Sequence, residues 1–143
     1  MAKVISINIS EIKGVIKTPI AEGVFKEDHG LVGDGHAGNW HRQVSLLASE
    51  SIEKMIKFGV PDLTPGKFAE NITTEGIVLY ELPIGTRLKI GDTIQEVTQI
   101  GKECHKGCAI KNKVGKCIMP TEGIFTKIIK GGVIKAGDII EVL

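Results

Sequence analysis

The chain of 143 residues contains three cysteines, and all three fall within one stretch of fourteen residues. The reactive form of a cysteine is the thiolate, and neighbouring cations lower the pKa of the thiol. Basic side chains flank the first cysteine on both sides. The pattern therefore predicts a reactive thiolate in this stretch, and Cys104 is the cysteine that these basic residues flank most closely. The cysteines and their flanking basic residues are Cys104, Cys108, Cys117, Lys102, His105 and Lys106.

The charge of the chain is unevenly distributed, although its sum is only +1. Residues 102–116 hold five lysines and one glutamate, a local balance of +4, so the other residues sum to −3. An acidic body argues against a broad nucleic-acid surface, which needs many basic side chains. A basic segment around thiols suits a nucleophile, a sulfur carrier or a cysteine that meets an anionic small-molecule ligand.

Three other uses of the cysteines remain open. A zinc site has enough candidate ligands, but it lacks the paired Cys-x-x-Cys spacing of structural zinc sites. Cys104 and Cys108 can form a disulfide switch if the backbone brings their Cα atoms close together. Cys117, beside two apolar residues, also fits a small buried hydrophobe. The candidate zinc ligands are Cys104, His105, Cys108 and Cys117.

A second candidate site lies in residues 33–43, which contain His36, His41, Arg42 and the only tryptophan. Glycines in this stretch permit an irregular loop whose backbone N–H groups approach a ligand. Arg42 offers a planar fork of donors to a phosphate or carboxylate. The alternative is a purely structural loop, in which His36 and Asp34 satisfy backbone groups.

Residues 68–72 place Glu70 and Asn71 between apolar neighbours. Glu70 is either an acid with a shifted pKa or an anchor that accepts backbone hydrogen bonds. We interpret Asn71 as an anchor, and we count both residues among the candidate cofactor-binding positions. The sequence has no phosphate-binding loop, dinucleotide-binding glycine fingerprint or nucleophile elbow.

The elements that must position these residues are mostly strands. Ile5, Ile7 and Ile9 alternate with the polar residues Ser6, Asn8 and Ser10, as in a half-buried strand. Further short strands are predicted at 44–47, 77–80, 88–90, 94–100 and 139–143. One helix is predicted from Ser49, with an apolar stripe of Ile52, Met55 and Ile56, and it ends before Gly59 and Pro61.

Two Gly-Asp pairs, Gly91-Asp92 and Gly137-Asp138, stand in similar seven-residue contexts and predict two similar tight turns. Many short strands with such turns predict a mainly β fold, with a barrel-like, strongly bent sheet and one or two short helices. The length predicts a single domain over residues 1–143. The N-terminus does not resemble a signal peptide and no apolar run suits a membrane span, so we expect a cytoplasmic protein with reduced thiols.

The ordered motifs together resemble the MOSC domain, the C-terminal domain of molybdenum-cofactor sulfurases, which also occurs as small stand-alone bacterial proteins. The resemblance runs from about residue 30 to the C-terminal Gly-Asp turn, and on motif position Cys104 is the best match to the family cysteine, with Cys108 as the runner-up. The matching motifs are Gly33-Asp34-x-His36-Ala37-Gly38, His41-Arg42-Gln43-Val44-Ser45-Leu46-Leu47, Phe68-Ala69-Glu70-Asn71-Ile72, Leu82-Pro83-Ile84-Gly85 and Gly101-Lys102-Glu103-Cys104-His105.

This resemblance implies a role in molybdenum-cofactor metabolism, either binding of molybdopterin or carriage of sulfur through a cysteine persulfide. It makes Cys104 a candidate molybdenum ligand, and a sulfurtransferase-type activity would depend on a separate desulfurase. The chain has no desulfurase domain, so pyridoxal phosphate belongs on a partner cysteine desulfurase. A molybdenum-cofactor biosynthesis enzyme is the other expected partner. The alternatives are a zinc-binding module and a module that only docks such an enzyme.

Overall fold

The computed structural model describes residues 2–12, 15–57, 64–101 and 122–143. Strands dominate these ranges, and the other elements are a nine-residue α-helix and a three-residue 3₁₀ helix. In chain order the elements are β1 (Lys3–Ile9), β2 (Thr18–Ile20), β3 (Glu22–Lys26), β4 (Gly30–Leu31), β5 (Val44–Ala48), α1 (Ser49–Lys57), β6 (Ile72–Glu75), the 3₁₀ helix (Leu79–Glu81), β7 (Arg87–Ile90), β8 (Thr93–Ile100), β9 (Ile124–Lys130), β10 (Gly132–Lys135) and β11 (Ile140–Val142).

The strands form an eight-stranded sheet, in the order β11-β7-β8-β9-β5-β6-β1-β2, and a three-stranded sheet, in the order β10-β3-β4. The large sheet bends until its two ends approach each other. Lys3 on β1 forms a bridge with Ile139, and the Val4 N–H donates to the carbonyl of Asp138 at 2.8 Å. The sheet does not close into a barrel. The predicted mainly β fold with a strongly bent sheet and short helices is confirmed.

The core lies inside the bend, and Leu46, Ile72 and Ile124, from the adjacent central strands β5, β6 and β9, are each 0% exposed there. Helix α1 packs on β5 and β6 with Ile52 and Met55 buried, as predicted.

The stripe predicted for α1 is wrong at Ile56, which is 46% exposed. Ser51 is buried instead, because its hydroxyl donates to Glu122 Oε1 at 2.6 Å, just before β9. The predicted helix end at Gly59 and Pro61 lies outside the described residues.

Most predicted strands are confirmed, but two patterns misled the prediction. Residues 77–80 form a bend and the start of the 3₁₀ helix rather than a strand. In β1 the polar residues Ser6 and Asn8 are buried, against the simple alternation. A register shift between Val4 and Ser6 rotates the strand, and hydrogen bonds satisfy both polar side chains.

The two Gly-Asp pairs form turns, as predicted, and the turns contact each other. Gly91 joins β7 to β8 with φ +55°, and Gly137 precedes β11 with φ +93°. A Cβ atom on Gly91 would lie 2.5 Å from a carboxylate oxygen of Asp138. The shared motif therefore marks two turns that meet where the ends of the bent sheet approach.

Membrane spans need about 20 apolar helical residues. No helix within the described ranges has the length and apolar character that a crossing requires.

Candidate anion-binding site

The guanidinium of Arg42 is held between two aromatic rings. Arg42 lies between β4 and β5, and its Cζ is 4.6 Å from the centroid of the Trp40 ring and 5.6 Å from that of Phe125 on β9. Its Nε is buried and has no hydrogen-bond partner among the described residues. A buried donor without an acceptor costs about 1–3 kcal/mol. Within the part of the chain that the structure describes, this Nε–H therefore lacks an acceptor, and an anionic ligand can supply one.

His41 ties this loop to the end of β8. The ring of His41 is exposed, with Nε2 at 3.0 Å from Gln99 Oε1. The Thr98 hydroxyl donates to the backbone carbonyl of His41, and Gln99 Nε2 donates to the Gly101 carbonyl at 2.8 Å. His41 and Arg42 therefore lie at the edge where β8 ends.

The described residues on either side of the cysteine connection (residues 102–121) lie at this edge. The chain leaves β8 at Gly101 and returns to β9 through Gly123, and the Gly101 N–H donates to the Gly123 carbonyl at 2.7 Å. Phe125, two residues after Gly123 and in β9, contacts Arg42. Six predicted site residues lie outside the described residues, namely Lys102, Cys104, His105, Lys106, Cys108 and Cys117.

His36 contacts a buried ion pair. Lys17 Nζ lies 2.7 Å from Asp34 Oδ1, and both side chains are 0% exposed. Burial raises the pKa of Asp34, but the hydrogen bond and charge of Lys17, together with the backbone N–H groups of Ser10 and His36, outweigh burial and make this pKa lower than usual. His36 Nδ1 is 3.2 Å from the same Nζ, and the Trp40 indole N–H donates to the His36 carbonyl at 2.8 Å. One loop thus carries both His36 and the ring that stacks on Arg42.

Glu70 and Asn71 are fully buried. The Asn71 side chain accepts from the Ser45 N–H at 3.0 Å and donates to the Asn8 carbonyl at 3.3 Å, the geometry of an anchor. Burial raises the pKa of Glu70, although its carboxylate accepts a hydrogen bond from Thr73 Oγ1 at 2.7 Å. Both residues hold β1, β5 and β6 together; their contact with a cofactor stays a prediction.

Sequence reasoning named neither Lys17 nor Phe125, and it gave no role to Gln43. Lys17 follows an apolar pair, and nothing in its spacing indicates a partner seventeen residues away. Phe125 lies on β9, a strand that periodicity did not detect. Gln43 was detectable through its position next to Arg42, and its side chain accepts from the Ile128 N–H at 2.8 Å.

The predicted cysteine and histidine metal ligands, Cys104, His105, Cys108 and Cys117, are not among the described residues. Within the described ranges, no group of three or more His, Cys, Asp or Glu side chains is placed to hold a metal ion.

The fold and the loop define a mainly β protein with a candidate anion site at one edge of a bent sheet. The sequence profile of the MOSC domain matches residues 33–141, and the chain belongs to the MOSC domain family. The resemblance inferred from the motifs is therefore confirmed. No match was found among curated proteins.

Three solved structures show the same fold. The YUAD protein from Bacillus subtilis is 19% identical, with a TM-score of 0.80 over 99% of this chain and 96% of that chain. YiiM from Geobacillus stearothermophilus is 21% identical, with a TM-score of 0.76 over 100% of this chain and 75% of that chain. YiiM from Escherichia coli is 17% identical, with a TM-score of 0.72 over 100% and 70%. At these identities the similarity concerns the fold alone.

Proposed function

We propose that the protein binds the phosphate-bearing pterin of the molybdenum cofactor and carries sulfur for it as a cysteine persulfide. MOSC domains are associated with sulfur transfer related to this cofactor, and the chain belongs to that family. The observation that carries the binding half is Arg42, a stacked cation whose buried Nε has no acceptor among the described residues.

A phosphate fits Arg42 because its oxygens would satisfy the orphaned Nε through a charge-assisted hydrogen bond. Trp40 and Phe125 hold the guanidinium plane, so less side-chain freedom is lost when the anion binds. His36 and His41 would add donors from the same loop. When bound, the cofactor supplies a molybdenum centre, which suits soft thiolate ligands.

We assign sulfur carriage to Cys104, with Cys108 as the second candidate. Cys104 follows Gly101 by three residues, so its Cα lies at most about 11 Å from the Cα of Gly101, which is at the edge next to Arg42. The thiolate of Cys104 attacks the outer sulfur of a desulfurase persulfide, forming a new S–S bond while the desulfurase thiolate leaves. Lys102, His105 and Lys106 favour the ionised thiol by their charge.

The partners follow from this chemistry. Pyridoxal phosphate stays on the partner cysteine desulfurase, and a molybdenum-cofactor biosynthesis enzyme is the proposed acceptor. Free thiols are required, which suits the reducing cytoplasm.

The proposal is tested by incubating the protein with a cysteine desulfurase and cysteine, followed by intact-protein mass spectrometry and a separate molybdopterin-binding assay. We expect the mass of one added sulfur atom, localised to Cys104 and lost in Cys104→Ser, together with molybdopterin binding. An unmodified Cys104 and no molybdopterin binding would reject both halves. Stoichiometric zinc that is lost in Cys104→Ala would replace the proposal with a metal site.

A further inference from the structure

Among the described residues, the buried ammonium of Lys17 contacts the side chains of Asp34, Ser10 and His36. Its Nζ lies 2.7 Å from Asp34 Oδ1, 3.1 Å from Ser10 Oγ and 3.2 Å from His36 Nδ1. An ammonium has three N–H donors and no lone pair, so it can only donate. His36 Nδ1 must then accept, because two donors cannot share that contact.

We infer that Lys17 is a positioning residue that holds His36 as the neutral imidazole with its proton on Nε2, so that His36 donates a hydrogen bond to a bound anion. A neutral histidine carries one proton, and which nitrogen holds it depends on the hydrogen bond made by the other. An Nδ1 that accepts from Lys17 leaves Nε2 protonated. His36 then recognises an acceptor by hydrogen bonding, without adding a second positive charge beside Lys17.

Asp34 supports this arrangement without competing for the ring. Its Oδ2 accepts from the His36 backbone N–H at 3.1 Å, and its Oδ1 accepts from the Ser10 N–H at 3.1 Å. The distance from Oδ2 to His36 Nδ1 is 3.9 Å, too long for a hydrogen bond. Asp34 therefore fixes the backbone of His36 and the ammonium of Lys17, while Lys17 fixes the ring.

The inference concerns the same loop as the proposed anion site. Trp40 donates to the His36 carbonyl, and its ring stacks on Arg42. The tautomer of His36 is a property of the free protein. Only the last step, donation to an anion, rests on the proposed function.

The tautomer is tested by ¹⁵N NMR of the histidine rings in the wild-type protein at neutral pH, with His36→Gln used to assign the His36 signals. We expect a single neutral form of His36, protonated at Nε2. A ring protonated at Nδ1, or at both nitrogens, would overturn the inference. The double variant Lys17→Met with Asp34→Asn removes both buried charges together, and its His36 should shift to a mixture of tautomers; an unchanged single form would also overturn it.

The donor role is tested by two amide variants in a titration with molybdopterin. A glutamine amide reaches about as far as Nε2 and can donate there, whereas an asparagine amide reaches only about as far as Nδ1. We expect His36→Gln to bind about tenfold more tightly than His36→Asn, the loss typical of one hydrogen bond. Equal affinities would overturn donation from Nε2. If molybdopterin fails to bind even the wild type while NMR shows the Nε2 form, the proposed function fails and the positioning role of Lys17 stands.

Discussion

At the scale of single residues, stability depends strongly on the buried ion pair of Lys17 and Asp34. Both charges have lost their water, and the carboxylate is compensated by Lys17 and by the backbone N–H groups of Ser10 and His36. Removing one member of such a pair leaves an uncompensated buried charge, which costs about 3–5 kcal/mol.

Asp34→Asn is therefore expected to lower the free energy of unfolding by about 3–5 kcal/mol at neutral pH, measured by urea denaturation. The control is Glu75→Gln, which removes an exposed ion pair with Lys3 at 3.6 Å. An exposed pair of this kind contributes about 0–1 kcal/mol. Equal losses in the two variants would contradict the structural importance of the buried pair.

The lowered pKa of Asp34 also predicts how acid affects stability. Below its ordinary value of 3.8, the unfolded chain binds a proton that the folded protein resists, so stability falls as the pH drops through this region. Asp34→Asn should lose this part of the acid dependence. A wild type and variant with identical acid unfolding profiles would contradict it.

Glu70 has the opposite dependence, because burial raises its pKa above the ordinary 4.5. Between that value and the raised pKa, the unfolded chain has released the proton and the folded protein keeps it. The contribution of Glu70 is thus present at low pH and is lost as the pH rises. Glu70→Gln is expected to flatten this decline in unfolding free energy, measured from pH 4 upward; a decline that is as steep in the variant would exclude Glu70 as its source.

At the scale of elements, Gly66 allows the loop before Phe68 to pack closely against the backbone of Lys17. Gly66 has φ +90°, and its carbonyl accepts from the Lys17 N–H at 2.9 Å. A Cβ at Gly66 would lie 2.2 Å from the Lys17 carbonyl oxygen. Gly137 has nearly the same φ, +93°, with nothing within 4 Å of a Cβ.

Gly137→Ala is expected to cost roughly 1–2 kcal/mol, the strain of a positive φ. Gly66→Ala should cost clearly more, because the same strain is joined by a backbone clash. Thermal or urea unfolding of the two variants measures the difference. Equal costs would show that close approach to Lys17 does not constrain the loop.

Elements that depend on local pattern were predictable. Helix α1 and the strands β5, β7 and β8 follow from short-range periodicity and turn residues. Strand β9 was missed because its place between β5 and β8 depends on distant partners. The burial of Ile56 was wrong because Ser51 gained a partner at Glu122, 71 residues away. At the site, motifs indicated Arg42 and His36, but the supports from Lys17 and Phe125 arise only from tertiary pairing.

At the scale of the whole molecule, the bent sheet brings the two parts of the proposed site to one edge. Strands β8 and β9 bring both described ends of the cysteine connection to the edge where Arg42 stacks. The connection carries the +4 local charge, and the remainder of the chain sums to −3. An anionic ligand would therefore be drawn to this edge of an otherwise acidic protein.

The central claim, that Arg42 binds the anionic part of the ligand, is tested most directly by a molybdopterin titration followed through Trp40, the only tryptophan. Lysine keeps the charge but lacks the Nε–H fork. Arg42→Lys should weaken binding about 10- to 100-fold, the equivalent of one charged hydrogen bond. Arg87→Lys, at an arginine that is 53% exposed on β7, should bind like the wild type. Wild-type affinity in Arg42→Lys would contradict the account.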